Sequence, residues 1–257
     1  MIVVLFGSYV MIGLALYFFQ EKLLFLPTTL EQSYEFNFDY NLDELFLKPE
    51  EGVTINALHF KVENPKGIIL YFHGNSGDLS RWGKVAEYFV KKQYDVLVMD
   101  YRTYGKSIGT LGEKGFYKDA QYCYDYLLQH YSDTQITLYG RSLGTGIASF
   151  IAAENEPKQL ILETPYYSIL DVAKDRFPMF PLEKLLKYQF PTFKYLLKTN
   201  CSITIIHGTD DDVVPYSSSK KLSELKLENL NFITVENGTH NNLIEFDKYH
   251  NTINKLL

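Results

Sequence analysis

The stretch that decides the fold is Ile136-Thr-Leu-Tyr-Gly140-Arg-Ser142-Leu-Gly144. It predicts a buried strand, a Gly-x-Ser-x-Gly turn and then a helix, which is the context that a nucleophile elbow requires. The turn is so tight that the residues two before and two after Ser142 must lack bulk. Ser142 is then projected from the strand end beside a helix N-terminus, where developing negative charge is stabilised. We therefore predict that Ser142 is a nucleophile.

The same glycines fit a second interpretation, part of a dinucleotide fingerprint. Gly144-Thr-Gly146-Ile-Ala-Ser149 resembles that motif, and Glu163 stands at the end of the next predicted strand. Ser149 replaces the third glycine, however, and the strand already ends before Gly140. We disfavour nucleotide binding for these reasons, and the sequence contains neither a P-loop nor a His-Glu-x-x-His motif.

Outward from this stretch, apolar strands and helices alternate from about Tyr34 onward. Strands are predicted at 67–72, 94–99, 136–139, 159–162, 202–206 and 231–235, and helices at 79–92, 117–131, 143–153, 217–225 and from 242. Alternating apolar residues from Phe36 and Phe38 to Phe60 predict early antiparallel strands, and Tyr122, Tyr126 and Leu127 are expected on one helical stripe. The alternation predicts an α/β fold, a mostly parallel central sheet with helices on both faces.

About forty residues separate the strand ending at Leu162 from the strand starting near Ser202, more than a simple crossover needs. The segment 165–200 carries four prolines and is predicted to be an inserted cap of short helices. It also holds eight aromatic residues and six basic against three acidic ones. An apolar, basic cap is consistent with a membrane-facing acyl pocket, and equally with an ordinary lid packed on the core.

The N-terminus has a separate character, because no charged side chain occurs from Met1 to Gln20. The apolar run Ile2 to Phe19 just reaches the ~20 residues that a bilayer-spanning helix needs. It lacks the basic region and the small-residue cleavage site of a signal peptide. We predict a single-pass transmembrane anchor over 1–26 and one domain over 27–257, with a cleaved signal or a buried helix as alternatives. Lys22 beside Glu21 leaves the membrane side of the domain open.

Two polar loops after later strands supply partners for Ser142. Asp211 follows the strand at 202–206, where a carboxylate can orient a histidine, and Asp210, Asp212 and Glu163 remain alternatives. His240 follows the last strand and can take a proton from Ser142. A metal site at the three adjacent aspartates is disfavoured, because their side chains cannot all converge.

Backbone groups are expected to complete the site. The N–H after the first buried strand and the N–H after the nucleophile are the usual oxyanion donors, which nominates Asn75 and Leu143. His73 is interpreted as a structural histidine that bonds nearby backbone. His59, His130 and His250 lie away from the strand ends and are expected to be ordinary surface or core residues.

Composition excludes several classes of protein. With 46% hydrophobic and 22% charged residues the chain is not disordered, and its net charge of −6 disfavours a nucleic-acid platform. Two cysteines, Cys123 and Cys201, exclude a disulfide scaffold and leave a single bridge possible.

These motifs together resemble the α/β-hydrolase fold, and more narrowly its membrane-anchored α/β-hydrolase-domain (ABHD) branch, including the bud-emergence (Bem) type proteins. The resemblance is carried by Tyr71-Phe-His-Gly-Asn75, Asp100-Tyr-Arg-Thr-Tyr-Gly-Lys-Ser107, Gly140-Arg-Ser-Leu-Gly144, His207-Gly-Thr-Asp-Asp211 and Gly238-Thr-His-Asn241. In that family the aspartate four residues after the His-Gly histidine is the acid, which favours Asp211. The family usually has glycine where Thr103 stands.

The resemblance implies a serine hydrolase that forms an acyl-enzyme and uses no cofactor or metal. The expected substrates are carboxylic esters or thioesters, as in lipases, lysophospholipases and thioesterases, on lipid-like or acylated molecules. Membrane lipid is an expected partner and nucleic acid is not. A serine peptidase of the same fold and a non-catalytic, membrane-bound interaction module remain alternatives.

Overall fold

Strands and helices alternate along most of the chain in this computed structural model, which describes residues 2–257, with side chains from residue 4 onward. The strands are β1 (Leu26–Pro27), β2 (Leu42–Leu47), β3 (Ile55–Phe60), β4 (Ile68–Phe72), β5 (Ser76–Gly77), β6 (Asp95–Met99), β7 (Ile136–Arg141), β8 (Gln159–Glu163), β9 (Ser202–Gly208) and β10 (Leu230–Val235). The α-helices are α1 (Ile2–Leu24), α2 (Leu79–Val90), α3 (Glu113–Leu127), α4 (Gly144–Glu154), α5 (Ile169–Arg176), α6 (Leu182–Leu185), α7 (Thr192–Leu196), α8 (Tyr216–Ser223) and α9 (Asp247–Leu256).

Eight strands form one sheet in the order β10-β9-β8-β7-β4-β6-β3-β2. The neighbouring strands from β10 to β6 pair in parallel, and β3 pairs antiparallel with both β6 and β2. The predicted α/β-hydrolase architecture is therefore confirmed. Because the carboxyl ends of parallel strands share one edge, the loops after β4, β7, β9 and β10 meet there, and that edge is where such sheets bind ligands.

Both faces of the sheet are covered, which explains why its central strands are continuous apolar runs. One hydrophobic core lies between the sheet and helices α3 and α4, and a second lies between the other face and helices α2 and α9. Helix α2 illustrates how the sequence forms these helices. The Asp78 side chain caps its first turn by accepting a hydrogen bond from the Ser80 N–H, and Trp82 and Phe89 face the sheet. The thiols of Cys123 and Cys201 are both free.

Three details of the sequence prediction are wrong, the first being that the last α-helix begins at 247 rather than at 242. Phe36 and Phe38 lie in an irregular segment rather than a strand. Their alternate spacing reflects packing of a loop: the Phe38 ring lies 5.3 Å from the Phe60 ring and fills the space that Gly83 leaves open. Helix α3 begins and ends four residues earlier than predicted, and Tyr122 is 40% exposed instead of lying on its buried stripe.

The segment 165–200 forms the predicted cap of three short helices, α5, α6 and α7, above the carboxyl edge of the sheet. The apolar N-terminal run forms α1, the one helix within the described residues that is long and apolar enough to cross a membrane. It packs beside α6 of the cap. The cap and α1 therefore stand together over the edge at which the predicted site residues converge.

Candidate active site

The turn between β7 and α4 has the geometry that the glycine spacing predicts. Ser142 has a backbone φ of +50°, a conformation that costs energy for a non-glycine residue and that marks functional turns when it occurs. A side chain at Gly140 would lie 2.7 Å from the Gly144 carbonyl oxygen, and one at Gly144 would lie 2.1 Å from the Phe72 carbonyl oxygen. Both positions are therefore restricted to glycine by close backbone approach.

Three predicted residues from three different loops lie within hydrogen-bonding distance of one another. The Ser142 Oγ atom is 2.9 Å from His240 Nε2, and His240 Nδ1 is 2.8 Å from Asp211 Oδ2. All three side chains are buried. In this arrangement the carboxylate fixes the histidine tautomer that leaves Nε2 free to accept the serine proton.

The Asp211 carboxylate is held by more partners than His240 alone. Its Oδ1 accepts hydrogen bonds from the N–H groups of Val213 (2.9 Å) and Val214 (2.8 Å), and its Oδ2 lies 3.1 Å from His207 Nε2. Burial works to raise the pKa of the Asp211 carboxyl, but hydrogen bonds from His207 and His240 outweigh it and hold that pKa well below its usual range. A lowered pKa favours the anionic carboxylate, the form that can accept a hydrogen bond from His240.

The two predicted oxyanion donors border the same space as Ser142. Asn75 and Leu143 both line the cavity into which Ser142 opens. The Asn75 carbonyl is turned away, accepting bonds from the Leu26 N–H and the Tyr104 hydroxyl. No acceptor within residues 2–257 takes the backbone N–H of Asn75 or Leu143. Two such unpaired donors beside a serine can donate hydrogen bonds to an oxyanion and stabilise it.

The alternative acids do not approach His240. Asp210 and Asp212 are exposed, whereas Asp211 between them is buried. Glu163 accepts hydrogen bonds from the Tyr139 and Tyr249 hydroxyls and lies 3.2 Å from Arg141 Nε. Glu163 therefore belongs to a separate, buried network of hydrogen bonds with these three residues.

The other histidines have surroundings that suit structural roles. His73 is fully buried, its Nδ1 lies 2.7 Å from the Gly74 carbonyl, and its ring stacks on Trp82. His59 is buried in β3, where burial lowers its pKa to about 4 and keeps the ring neutral. Across the described part of the chain, no cluster of three His, Cys, Asp or Glu residues could hold a metal ion.

Two supporting residues were not singled out from the sequence. Arg141 Nη2 donates to the His240 carbonyl and to Asn241 Oδ1, each at 3.2 Å, so it ties the His240 loop to β7. His207 Nε2 lies 3.1 Å from Asp211 Oδ2, the same carboxylate oxygen that His240 contacts. The sequence did carry a signal for both, since Arg141 stands inside the Gly-x-Ser-x-Gly motif and His207 opens the His-Gly-Thr-Asp-Asp run.

Ser142 opens into an apolar cavity of about 270 Å³. Its floor is formed by Asn75, Ser142 and Leu143, and one side by cap residues such as Ile169 and Phe177. Another side comes from α1. A buried serine hydroxyl beside an apolar cavity is suited to a reaction at the polar end of an apolar molecule.

Comparison with known proteins agrees with this fold. A family model described as alpha/beta hydrolase fold matches residues 67–165. A protein of Acanthamoeba polyphaga mimivirus named R595 is 28% identical over 237 residues, covering 83% of this chain and 80% of that protein. The lysophosphatidylserine lipase ABHD12 of Bos taurus is 31% identical over 226 residues, covering 73% of this chain. The match spans 57% of the bovine protein, just over half of its length.

Among solved structures, the Pyrococcus furiosus esterase Pf2001 superposes with a TM-score of 0.70 at 18% identity, covering 91% of this chain and 96% of the esterase chain. At that identity the likeness shows the shared fold alone. The sequence matches show that this chain belongs to the α/β-hydrolase superfamily, as a member of the ABHD type.

Proposed function

We propose that this chain is a serine hydrolase that cleaves the carboxylic ester or thioester bond of an acyl substrate. The observation that carries the proposal is the hydrogen-bonded series Ser142 Oγ, His240 Nε2 and Asp211 Oδ2, with links of 2.9 Å and 2.8 Å. Supporting it are the strained turn at Ser142 and the two unpaired N–H groups beside it. The family relationship points to the same class of reaction.

In this mechanism Ser142 Oγ attacks the acyl carbonyl while His240 Nε2 takes its proton. The carbonyl oxygen becomes an anion, which the N–H groups of Asn75 and Leu143 stabilise, each donor being worth about 3–4 kcal/mol. His240 then protonates the leaving alcohol or thiol, and the acyl group remains on Ser142. A water molecule, deprotonated by His240, attacks the acyl-enzyme and releases the acid. Asp211 stabilises the charged His240 in both steps.

We propose further that the substrate is a lipid-like ester. The cavity beside Ser142 has mostly apolar walls, which suit an acyl chain better than a peptide backbone that would need hydrogen-bonding partners. The bovine relative carries the name lysophosphatidylserine lipase, which is consistent with this substrate class. These walls disfavour the alternative of a peptidase, and the complete Ser142, His240 and Asp211 series disfavours a non-catalytic interaction module.

Membrane attachment through α1 is the remaining part of the proposal, with residues 1–26 as anchor and 27–257 as the hydrolase domain. Helix α1 is 23 residues long, about 35 Å, enough to cross a bilayer core of about 30 Å. Phe6, Met11 and Phe18 are each at least 65% exposed, a pattern that is unfavourable in water and favourable in lipid.

A matched set of variants tests the mechanism. Ser142→Ala is expected to abolish hydrolysis of acyl esters and labelling by a fluorophosphonate probe. Asp211→Asn is expected to lower kcat by about 10⁴-fold, because it destabilises the charged, correctly oriented His240. Asp210→Asn changes an exposed neighbour and is the control, with activity near that of the unmodified protein. Retained turnover in Ser142→Ala, or equal losses in the two aspartate variants, would contradict the proposal.

A further inference from the structure

One face of α1 forms part of the wall of the cavity at Ser142. Leu16, Gln20, Leu23 and Leu24 all line that cavity. Their spacing of four, three and one residues places them along a single stripe of a helix. The helix with the composition of a membrane anchor is thus also a component of the candidate substrate site.

This placement of α1 is held by specific contacts to the cap. Gln20 is buried, its Nε2 donates to the Leu185 carbonyl (3.1 Å), and its Oε1 accepts from the Lys187 N–H (2.7 Å). At the next residue, Glu21 Oε1 accepts a hydrogen bond of 2.8 Å from the Tyr188 hydroxyl of the cap. Gln20 is the only strongly polar side chain on the stripe, and its amide is already hydrogen-bonded to the backbone of the cap. The surface that α1 presents to the cavity is therefore apolar.

The stripe also has a direction relative to Ser142. Leu24 stands next to the catalytic end, because the Leu26 N–H donates to the carbonyl of Asn75, one of the proposed oxyanion residues, at 2.8 Å. Leu16 lies eight residues earlier, about 12 Å away along the helix axis. A chain that starts at the Ser142 carbonyl site and follows α1 therefore passes Leu24 first and reaches Leu16 only if it is long.

We propose that α1 selects substrates by the length of their acyl chain. The acyl chain lies between α1 and the cap, with its far end against Leu16. The inference rests on the proposed ester hydrolysis at Ser142 and assigns that reaction a substrate with a long acyl chain. Because the same helix has its other face exposed, an acyl chain can move from lipid into the cavity along α1 without entering water.

The test is to fill the far end of the cavity in the full-length protein. Leu16→Trp is compared with the unmodified protein on p-nitrophenyl butyrate and p-nitrophenyl palmitate, both presented in mixed micelles of one composition. We expect the palmitate-to-butyrate ratio of kcat/KM to fall at least about tenfold, since a misfit of one or two methylenes in an apolar pocket costs that much. Fluorophosphonate labelling of Ser142 verifies that the variant folds, and butyrate turnover is the reference within the same variant. Leu16→Phe, a smaller change, should lower the ratio less.

The matched control is Leu14→Trp. Leu14 is 51% exposed on the same helix and is not among the cavity residues, so this variant should leave the ratio unchanged. Equal shifts in Leu14→Trp and Leu16→Trp, or an unchanged ratio in Leu16→Trp with intact butyrate turnover, would overturn the inference and leave the hydrolase proposal standing. An unmodified protein that hydrolyses neither ester and does not label at Ser142 would overturn both.

Discussion

Thr103 occupies a backbone conformation that β-branched residues seldom adopt. Its φ is +74°, and the hydrogen bond from the Tyr104 N–H to the Tyr101 carbonyl (2.9 Å) closes a turn in which Thr103 is the third residue. Type II turns need a positive φ at that position, which explains why glycine is usual there in the family. The loop keeps the glycine-like geometry although the residue is threonine.

Replacing Thr103 by glycine should therefore stabilise the protein. Relief of the left-handed strain is worth about 1–2 kcal/mol and is partly offset by the greater chain entropy of glycine, leaving about 1 kcal/mol. That corresponds to a rise in Tm of about 2–4 °C for a domain of this size, measurable by thermal unfolding in detergent.

Thr103→Ala is the control for this comparison. It removes the buried hydroxyl of Thr103, which has no hydrogen-bond partner among the described residues, but it keeps a Cβ at positive φ. The glycine variant should melt at a higher temperature than the alanine variant. If the two melt together, the backbone is not the source of the strain.

At the scale of elements, β7 and β8 are joined by more than their backbone ladder. Arg141 and Glu163 are register partners at the carboxyl ends of these strands, and both side chains are almost fully buried. The same arginine donates to the His240 carbonyl, so the pair connects the strand that precedes Ser142 to the loop that carries His240.

Removing one member of this ion pair should lower the stability of the fold. Glu163→Ala leaves the Arg141 charge buried without its partner, and the free energy of unfolding is expected to fall by about 3–5 kcal/mol, measured by denaturant titration in detergent. The double variant Arg141→Met with Glu163→Leu removes both charges and should recover part of that loss, since the Tyr139 and Tyr249 hydroxyls still lose their acceptor. A loss below about 1 kcal/mol for Glu163→Ala would show that water solvates the pair.

The element scale also shows what a sequence can and cannot predict. The strand-end motifs are local: the glycines around Ser142, and the loops of Asp211 and His240, can be recognised because each needs only neighbours in sequence. The position of α1 against the cap depends on hydrogen bonds between Gln20 and the backbone of Leu185 and Lys187, which lie more than 160 residues away in the chain. In the sequence, Gln20 only marks the end of an apolar run, and no periodicity reveals its partners.

At the scale of the molecule, the large apolar side chains exposed among the described residues are concentrated on α1, and Met179 at the cap tip is 79% exposed. Full-length protein expressed in cells is therefore expected in the membrane pellet, to remain there after washing with alkaline carbonate, and to be released by detergent. Release by carbonate alone would contradict a spanning helix and indicate one that lies in the interface.

The contact between the cap tip and α1 limits how the domain can stand on a membrane. Tyr9 donates to the Met179 carbonyl and stacks on Phe180, about 22 Å along the helix from Leu24. If α1 spans the bilayer as proposed, a domain bound so far along it has no free tether on which to swing, and the cap tip lies at the depth of the lipids. For the proposed lipid-ester hydrolase the relevant concentration is then two-dimensional: the rate follows the mole fraction of substrate in the surface, and inert lipid slows it by dilution even when the bulk amount of substrate is unchanged.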